Sequence, residues 1–429
     1  MRVRDLPGAN LRVAKTYNSP YERAKWTDNR EKTVRRVRRW REDIRWYDGR
    51  IEAFALSRAY FELDREDDYM WECTDILGKG AFGMVGKWTK FDNHGRAVDV
   101  IAIKQSNLDS REVDEDGYPT VPTEAALVKA LMKQGCRNVA SLREVRFFDC
   151  DRPKWRLYLE YYRYGTLHDL IKTYRARNER DDRDERIPEA FVWQAFNDLA
   201  QACYHMKVLR LDSIGARSPR GDHFVLHLDL KGENVLLGDA PGSSKYMPYP
   251  TLKVADWGMA EYTSLDDDRN SKKWKNYGTI VWMPPNVDKW KTHNSGMQEQ
   301  RDSGRYGESW DRPILGNRNA PFSMKHVVWQ IGANIYGLMT MDMHNQHIDE
   351  MVRKAEGLEH TMRKNGYSAL MGYRSHHYSS ELTRLVEDCL RVDPSRRPNP
   401  YELVRRTQDG LARYTQRYQQ TGEYSKLRV

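Results

Sequence analysis

Residues 225–237, "VLHLDLKGENVLL", place a polar segment between two apolar runs. The apolar runs predict two short strands, and the polar segment predicts a loop that connects them. Asp229, Lys231 and Asn234 follow one another in this loop at intervals of two and three residues. A polar turn is one interpretation of the segment. A catalytic loop is the other, because a carboxylate can accept a proton, an ammonium can neutralise developing charge, and an amide oxygen can bind a hard cation.

The composition is that of a large soluble protein. The chain has 429 residues, of which 39% are hydrophobic and 31% charged, so it can bury one large core or two lobes. No apolar run approaches the roughly 20 residues that a membrane helix needs, and we expect no membrane span. The N-terminus lacks the apolar core of a signal peptide, and the five cysteines are scattered without C-x-x-C spacing. We therefore expect a cytoplasmic or nuclear protein without a disulfide framework or a zinc site.

The chain is moderately basic, with 71 Lys and Arg against 62 Asp and Glu and a formal net charge of +9. Because this excess is spread over a long chain, it gives little support for an anionic partner, and we do not expect the protein to bind nucleic acid.

Residues 1–70 predict a basic N-terminal extension that is partly helical. Apolar side chains recur there every three or four positions, which is typical of an amphipathic helix: Val34, Val37, Trp40, Ile44, Tyr47, Ile51 and Phe54. Arginines fill the remaining faces. The pattern favours a helix that packs on the body of the protein with its arginines in solvent. A nuclear-import or nucleic-acid patch and a partner-binding helix are the alternatives, and Gly49 argues against one unbroken helix.

The remainder of the chain is rich in strands first and in helices afterwards. Five strand-like segments lie between residues 71 and 161, and amphipathic or apolar helical segments dominate the region beyond them. This order predicts an α+β protein with two lobes instead of an alternating α/β sheet. The polar stretches 210–222, 239–250 and 286–322 predict surface loops or insertions.

A glycine motif opens the strand-rich region. Gly78, Gly80, Gly83 and Val85 fit the pattern G-x-G-x-x-G-x-V, in which glycines let backbone amides approach phosphate oxygens closely. A dinucleotide-binding loop is the alternative interpretation. It requires a helix directly after the glycines, whereas the following "MVGKWTKF" predicts a strand.

Further charged residues follow this motif in a defined order. Lys104 ends the apolar strand "VIAIK", and Glu124 lies on the next predicted helix, where it could pair with the lysine. The segment H-x-D-x-K-x-x-N at 227–234 comes next, and Asp256 follows another short strand in "LKVADWGMA". Each element has an ordinary structural interpretation by itself, but their order is the signature set of protein kinases.

The region from about Trp71 to Leu411 therefore resembles a eukaryotic protein kinase catalytic domain of the serine/threonine type. The segments "GTIVWMPPN" (278–286), "VVWQIGANIYGLMT" (327–340) and "CLRVDPSRRP" (389–398) are similar to further family motifs. The resemblance implies a small β-rich N-lobe at 71–161, a larger helical C-lobe at 162–411, an ATP cleft between them, and a C-terminal tail at 412–429.

The resemblance also implies roles for individual residues. Lys104 and Glu124 would form the ion pair that positions the phosphates, Asp229 would be the catalytic base, and Lys231 would neutralise the transferred group. Asn234 and Asp256 would be the ligands of Mg²⁺. The residues around ATP would be Gly78, Gly80, Gly83, Val85, Ala102, Lys104, Leu159, Glu160, Tyr162 and Leu236, with Leu159 as gatekeeper and Glu160 to Tyr162 as hinge. Val128, His227 and Trp257 would form an apolar spine.

Four positions depart from the family pattern. Leu228 replaces an arginine that meets a phosphate on the activation segment, so we expect activity to depend little on phosphorylation of that segment. Trp257 replaces a phenylalanine and, as a larger ring, should be harder to move. Asn286 replaces a glutamate that would pair with an arginine such as Arg397, and Val327 replaces an aspartate that supports the catalytic loop. These changes identify the chain as a divergent member.

The sequence supports two main functions. The first is a serine/threonine protein kinase that transfers the γ-phosphoryl group of Mg-ATP to a protein hydroxyl. The second is a pseudokinase scaffold that binds partners without transfer. The intact set Lys104, Glu124, Asp229, Asn234 and Asp256 favours the enzyme, because a scaffold does not need all five. A kinase for a small-molecule hydroxyl is a third interpretation, which the activation-segment-like residues 278–286 disfavour.

Overall fold

The computed structural model describes residues 20–45, 47–61, 65–80, 83–149, 152–211, 223–240, 247–270, 274, 278–279, 282–284, 321–341, 377–391 and 393–429. These residues form two compact units. Unit 1 comprises those up to Lys129 together with Ala140–Tyr161, and unit 2 comprises Ala130–Val139 together with those from Tyr162 onward.

The N-terminal part of unit 1 is helical. Helices α1 (Pro20–Asp43) and α2 (Gly49–Ala55) are separated by a short connection, and the one-turn helix α3 (Arg65–Asp68) follows. Asp48 caps α2, because its carboxylate accepts the backbone N–H groups of Arg50 (3.0 Å) and Ile51 (3.3 Å). The single apolar stripe expected from the sequence is thus divided over two helices, and the second begins at Gly49.

A five-stranded antiparallel sheet forms the rest of unit 1. Its strands are β1 (Trp71–Gly80), β2 (Gly83–Phe91), β3 (Ala97–Asn107), β4 (Leu142–Phe148) and β5 (Lys154–Glu160), in the order β1-β2-β3-β5-β4. β-Branched residues in β3 (Ile101 and Ile103) are fully buried, as expected for side chains that fit a pleated surface. Helix α4 (Thr123–Lys133) follows β3 in the chain and continues across the division between the units.

The N-terminal helices cover one face of this sheet. Their apolar side chains form a single buried cluster with the strands, composed of Val37, Trp40, Ile51, Phe54, Ala55 and Ala59 before the sheet and Trp71, Cys73, Ile76, Met84, Trp88, Ile101, Ile103 and Tyr158 within it. Arg35, Arg38 and Arg39 of α1 are exposed. The extension therefore packs on the sheet through its apolar stripe and directs these arginines into solvent.

Two arginines of the sheet hold the connection between α2 and β1. Arg156 is only 3% exposed and donates to the carbonyl oxygens of Arg58 (2.5 Å) and Ala59 (3.2 Å). Arg146, which is also buried, donates to the carbonyl oxygen of Phe61 (2.6 Å). Removing the acceptors of a buried charge is strongly destabilising, so this connection is an integral part of unit 1.

Unit 2 is mainly helical and contains two small antiparallel strand pairs. Its helices and strands are α5 (Leu167–Asp181), α6 (Glu189–Val208), β6 (Phe224–Leu226), β7 (Val235–Leu237), β8 (Leu252–Val254), β9 (Glu261–Thr263), α7 (Met324–Thr340), α8 (Ser380–Cys389) and α9 (Pro400–Thr421). Strand β6 pairs with β9 and β7 pairs with β8. Every side chain of α7 from His326 to Thr340 is buried, which explains its nearly continuous apolar sequence. The α+β class expected from the sequence is confirmed.

Two segments differ in structure from what their sequence suggested. Helix α9 continues past Leu411 to Thr421, so residues 412–421 of the expected C-terminal tail are helical. Tyr249, in the expected surface insertion 239–250, is completely buried and donates its hydroxyl to the carbonyl oxygen of Ser425 (2.6 Å). Burial of this ring is favourable because it removes a large apolar area from water and its hydroxyl has a hydrogen-bond partner. Most of the insertions 210–222 and 286–322 lies outside the described residues.

Arg397 has partners although the family's glutamate is missing. Its guanidinium donates to the carbonyl oxygens of Arg391 (2.7 Å) and Lys325 (2.9 Å) and lies 4.9 Å from the centre of the Trp329 ring. Backbone oxygens and a cation–π contact thus satisfy the buried charge. Asn286 lies outside the described residues.

None of the helices in the described ranges is both long enough and apolar enough to cross a lipid bilayer.

Candidate active site

In unit 1 the strand lysine and the helix glutamate form an ion pair. Lys104 of β3 contacts both carboxylate oxygens of Glu124, at 2.8 and 2.7 Å, and Lys104 is 7% exposed. Glu124 lies in the first turn of α4, so the helix determines where the ammonium group points. A buried ammonium held in this way is a fixed positive charge suited to phosphate oxygens.

Three of the other residues expected around ATP lie on the same sheet face as Lys104. Val85 pairs with Lys104 across β2 and β3, and Ala102 pairs with Leu159 across β3 and β5. Directly paired residues share a face, and residues two apart on one strand share a face. Val85, Ala102, Lys104 and Leu159 therefore form one patch, on the face opposite to Ile101 and Ile103, which the N-terminal extension covers.

The glycines of the loop between β1 and β2 have two different reasons for being glycine. Gly83 has φ +126°, and a Cβ there would lie 2.1 Å from the carbonyl oxygen of Gln105. At Gly78 and Gly80 a Cβ would meet no atom of the described residues within 4 Å. Contacts among the described residues therefore do not require glycine at these two positions, whereas close approach of a phosphate to the backbone would.

The N-terminal extension reaches the same loop. The carboxylate of Asp48, at the start of α2, accepts a hydrogen bond from Lys79 Nζ at 2.6 Å, and Lys79 lies between Gly78 and Gly80. This bond is the largest influence that holds the pKa of Asp48 below its usual range. Nearby, a Cβ on Gly86 of β2 would lie 2.7 Å from the Phe54 ring, so α2 packs tightly on the hairpin that carries the loop.

In unit 2 the predicted catalytic loop forms a compact polar network. Asp229 Oδ1 accepts hydrogen bonds from the hydroxyl (2.7 Å) and the backbone N–H (2.9 Å) of Thr279. Lys231 Nζ lies 3.0 Å from the Thr279 hydroxyl and 3.3 Å from Asp229 Oδ2. The carboxylate, the ammonium and the hydroxyl thus contact one another, and Asp229 is held in one orientation.

The two expected magnesium ligands lie on backbone segments that are hydrogen-bonded to each other in unit 2. Asn234 donates its amide to the backbone carbonyl (2.8 Å) and to Oδ2 (3.2 Å) of Asp229, so its side-chain oxygen is the atom suited to a cation. The N–H of Ala255 donates to the Asn234 carbonyl at 2.9 Å, which brings the exposed Asp256 beside Asn234. An amide oxygen and a carboxylate are the hard donors that Mg²⁺ prefers, and Mg²⁺ usually takes its remaining ligands from water and phosphate.

His227 connects the predicted catalytic loop to the segment that carries Asp256. It is fully buried, its Nε2 lies 3.0 Å from the Ala255 carbonyl oxygen, and its Nδ1 accepts the N–H of Asp229 at 3.3 Å. Burial lowers the pKa of His227, although the charge of Asp229 opposes this effect. We therefore assign a neutral ring protonated on Nε2.

The Trp257 ring is fixed next to His227. It lies 4.8 Å from the His227 ring, and its indole N–H donates to the carbonyl oxygen of Val254 at 3.2 Å. The smaller phenylalanine of the family could not form this bond, so the replacement adds a specific contact.

The other residues to which the sequence analysis gives a role differ in burial and belong to different units. Glu160 ends β5 in unit 1 and pairs with Arg143 at 2.8 Å. Leu236 lies in β7 and is half-buried, and Tyr162 is also half-buried; both belong to unit 2. Val128 is 3% exposed on α4.

Sequence reasoning missed two polar residues that contact the predicted catalytic loop, Gln330 and Asn334 of α7. The available signal was two amides within an otherwise apolar helix, since a buried amide requires a partner. Asn270, which bonds to the backbone of Phe322, was also missed, and its polar neighbours in the sequence gave no such signal. Asp48 was also missed, because nothing in its local sequence relates it to the glycine loop.

Comparison with known proteins gives one family. Residues 71–300, more than half of the chain, match the protein kinase domain. The chain is 23% identical over 386 residues to mitogen-activated protein kinase kinase kinase 19 of Homo sapiens, which covers 88% of this chain and 23% of that protein. It is 25% identical over 338 residues to probable serine/threonine-protein kinase nek2 of Dictyostelium discoideum, covering 78% and 61%. It is 26% identical over 259 residues to serine/threonine-protein kinase PKZ1 of Phytophthora infestans, covering 58% and 54%.

The chain thus spans less than two thirds of the length of each of these relatives. The matched region begins at Trp71, the first residue of β1, and contains the glycine loop, the Lys104–Glu124 pair and the catalytic loop. Because this match covers more than half of the chain and the matched region contains these contacts, the chain belongs to the protein kinase family.

Proposed function

We propose that the chain is an active serine/threonine protein kinase that uses Mg-ATP. The observation that supports this most directly is the contact of Asp229 with Thr279 at 2.7 Å and of Thr279 with Lys231 at 3.0 Å. A base oriented by a hydroxyl and accompanied by an ammonium two residues later suits the transfer of a phosphoryl group to an alcohol. The names of the relatives, which include serine/threonine-protein kinases, are in agreement.

The proposed reaction is a single displacement. The hydroxyl oxygen of a serine or threonine in the substrate protein attacks the γ-phosphorus of ATP, and the bond from that phosphorus to the bridging oxygen of ADP breaks. The hydroxyl proton passes to Asp229, and Lys231 neutralises charge on the transferred group. Most of the rate enhancement then comes from positioning and electrostatics.

Each unit has its own assigned residues. Unit 1 supplies the glycine loop, the patch of Val85, Ala102 and Leu159 for adenine, and Lys104, held by Glu124, for phosphates. Unit 2 supplies the transfer residues, with Asn234 and Asp256 as the residues that would hold Mg²⁺. When bound, Mg²⁺ neutralises phosphate charge during transfer.

The test is phosphate transfer from γ-labelled ATP to a mixture of serine- and threonine-containing peptides. We expect incorporation by the wild-type protein and its loss in Asp229→Asn, because the amide cannot accept the proton. Asp239→Asn, an exposed aspartate, serves as the matched control and should behave like the wild type. Equal background incorporation in wild type and Asp229→Asn would favour the pseudokinase scaffold instead.

The metal assignment gives a separate prediction. Replacing Asp256 by Asn should remove most of the increase in melting temperature that Mg-ATP causes, because the variant loses the charged oxygen ligand. Thermal unfolding with and without Mg-ATP measures this effect, and Asp266→Asn, also exposed, is the control. An unchanged increase in the Asp256 variant would contradict the assignment.

A further inference from the structure

Two amides of α7 contact the backbone on either side of Asp229. Gln330 Nε2 donates to the carbonyl oxygen of Leu228 at 3.3 Å, and Asn334 Nδ2 donates to the carbonyl oxygen of Leu230 at 3.1 Å. The two residues are four positions apart and therefore lie on the same face of the helix. Both are almost completely buried, at 1% and 2% exposure.

The loop that they contact has an unfavourable backbone conformation. Leu228 has φ +63°, in the left-handed region that leucine rarely adopts, and its side chain is 3% exposed. Such a conformation costs on the order of 1–3 kcal/mol and persists only where surrounding contacts impose it. Gly278 also approaches this residue so closely that a Cβ on Gly278 would lie 2.1 Å from the Leu228 carbonyl oxygen. The carbonyl group is therefore held in place from two sides.

Among the described residues, these amides make one side-chain hydrogen bond to their own helix, from Asn334 Nδ2 to the carbonyl oxygen of Gln330 at 2.8 Å. The side-chain oxygens of Gln330 and Asn334 are buried and have no hydrogen-bond partner within the described part of the chain. An apolar residue at either position would avoid this cost, since unsatisfied buried polar atoms destabilise a fold by about 1–3 kcal/mol each. Their donor groups explain why amides occur here.

The residue one turn earlier gives the reason for the arrangement. Val327, where the family resemblance places an aspartate that supports the catalytic loop, is buried at 1% exposure and offers the loop no polar atom. A carboxylate can only accept hydrogen bonds from loop N–H groups, whereas Gln330 and Asn334 donate to loop carbonyl groups. The same helix thus contacts the same loop with the opposite hydrogen-bond polarity.

We propose that Gln330 and Asn334 are positioning residues for catalysis, which hold Asp229 through the carbonyl groups on both sides of it. The inference rests on the proposed kinase function and identifies how this chain supports its base without the aspartate. The residues act through the loop backbone and do not touch the substrates, so their loss should lower kcat and leave nucleotide binding unchanged.

The test uses two variants that keep volume and remove the donor, Gln330→Met and Asn334→Leu. We expect kcat to fall about 10- to 100-fold in each, because small displacements of a catalytic group have effects of this size, while KM for ATP changes less than about twofold. Thr340→Val is the matched control. Thr340 is a buried polar residue of the same helix, and its hydroxyl bonds only to the Tyr336 carbonyl oxygen. Folded variants with kcat within about twofold of the wild type would overturn the inference.

A conservative variant separates positioning from packing. In Gln330→Glu the side chain can donate to Leu228 only when it is protonated, so kcat should decrease with rising pH in a way that neither the wild type nor Gln330→Met shows. A Gln330→Glu profile of the same shape as that of Gln330→Met would contradict the role of the donor.

A second measurement does not depend on activity. Amide hydrogen exchange of the peptide 227–234 should be faster in Gln330→Met and Asn334→Leu than in the wild type and in Thr340→Val. If the wild-type protein transfers no phosphate, the proposed function fails, and this exchange still decides whether the two amides hold the loop. Unchanged exchange would refute the inference.

Discussion

At the scale of single residues, the catalytic loop shows how one hydroxyl can orient a carboxylate. Thr279 donates its hydroxyl and its backbone N–H to the same oxygen of Asp229, and Asn234 donates to the other oxygen. The carboxylate is thus fixed in its plane before any substrate binds. Preorganisation of this kind reduces the cost of reaching the reactive geometry.

The Thr279 hydroxyl gives a direct prediction. Thr279→Val should lower kcat by about tenfold or more, because the valine removes the side-chain donor to Asp229 and the acceptor of Lys231. Thr279→Ser keeps the hydroxyl and should retain most of the activity. Steady-state phosphate transfer distinguishes the two variants, and equal activity of Val and Ser at this position would show that the hydroxyl is dispensable.

Burial of the Asp198 carboxyl destabilises the folded protein by an amount that depends on pH. This residue of α6 is buried, and burial raises its pKa from 3.8 to about 7, although the backbone N–H of Leu252 partly opposes the effect at 2.8 Å. A carboxyl whose pKa is raised on folding binds more protons in the folded state than in the unfolded state between these two values. The stability of the wild type therefore falls through this window as pH rises, and the full cost is present above the folded pKa.

Asp198→Asn should remove this cost. We expect the variant to melt a few degrees above the wild type at about pH 8, and the difference to shrink as pH falls toward about 4. Thermal unfolding across this range is the measurement, with the exposed Asp409→Asn as control. A difference that grows toward acid pH would have the wrong sign.

At the scale of secondary-structure elements, Asn270 and Trp274 anchor the described part of the segment after Asp256. Asn270 accepts the N–H of Phe322 (2.7 Å) and donates to its carbonyl oxygen (2.9 Å), as a strand neighbour would. Its amide also donates to the carbonyl oxygen of Ser264 (2.9 Å). Trp274 adds a completely buried ring to the same segment. These contacts offer an explanation for the presence of Leu228 in place of the phosphate-binding arginine.

This arrangement predicts low sensitivity to dephosphorylation. Phosphatase treatment should leave turnover of the wild type nearly unchanged, whereas Asn270→Ala should reduce it severalfold because the segment loses its bonds to Phe322. Phosphate transfer before and after treatment is the measurement. A loss on the order of a hundredfold after phosphatase treatment would mean that a phosphate, and not Asn270, orders the segment.

The sequence predicts some of these residues and elements and not others. The glycine loop, Lys104, Glu124, Asp229, Asn234 and Asp256 have a fixed order and characteristic local patterns, so the amino-acid sequence predicts a role for each of them, and these roles stay predictions. Gln330, Asn334 and Asn270 bond to backbone carbonyl groups that are distant in sequence, and a backbone acceptor leaves no trace in residue identity. The division of the N-terminal stripe into two helices depended on the Asp48 cap, which becomes evident only once the helix start is known.

At the scale of the whole molecule, the N-terminal extension is part of the folded core of unit 1. Phe54 is 1% exposed, and its ring lies edge-on to Trp88 with centroids 5.8 Å apart. Its close approach to Gly86 leaves no room for a side chain on that strand. The sequence predicted a docked helix. It did not predict that side chains of the extension form part of the buried cluster on one face of the sheet.

Phe54→Ala should therefore destabilise the protein strongly. We expect a loss of about 3–5 kcal/mol in the free energy of unfolding, as for other buried aromatic residues, whereas the exposed Arg38→Ala should change it by less than about 0.5 kcal/mol. Chemical denaturation compares the two variants. A loss below about 1 kcal/mol for Phe54→Ala would mean that the extension is only loosely attached.

An ion pair between Asp48 and Lys79 joins this extension to the glycine loop between β1 and β2, and both side chains are partly exposed. Attraction between such charges weakens as dissolved ions accumulate around them. Ionic strength therefore affects the glycine loop through Asp48, which belongs neither to the glycine motif nor to the predicted catalytic residues. In this chain, the electrolyte composition of the surroundings therefore modulates how firmly the extension holds the glycine loop.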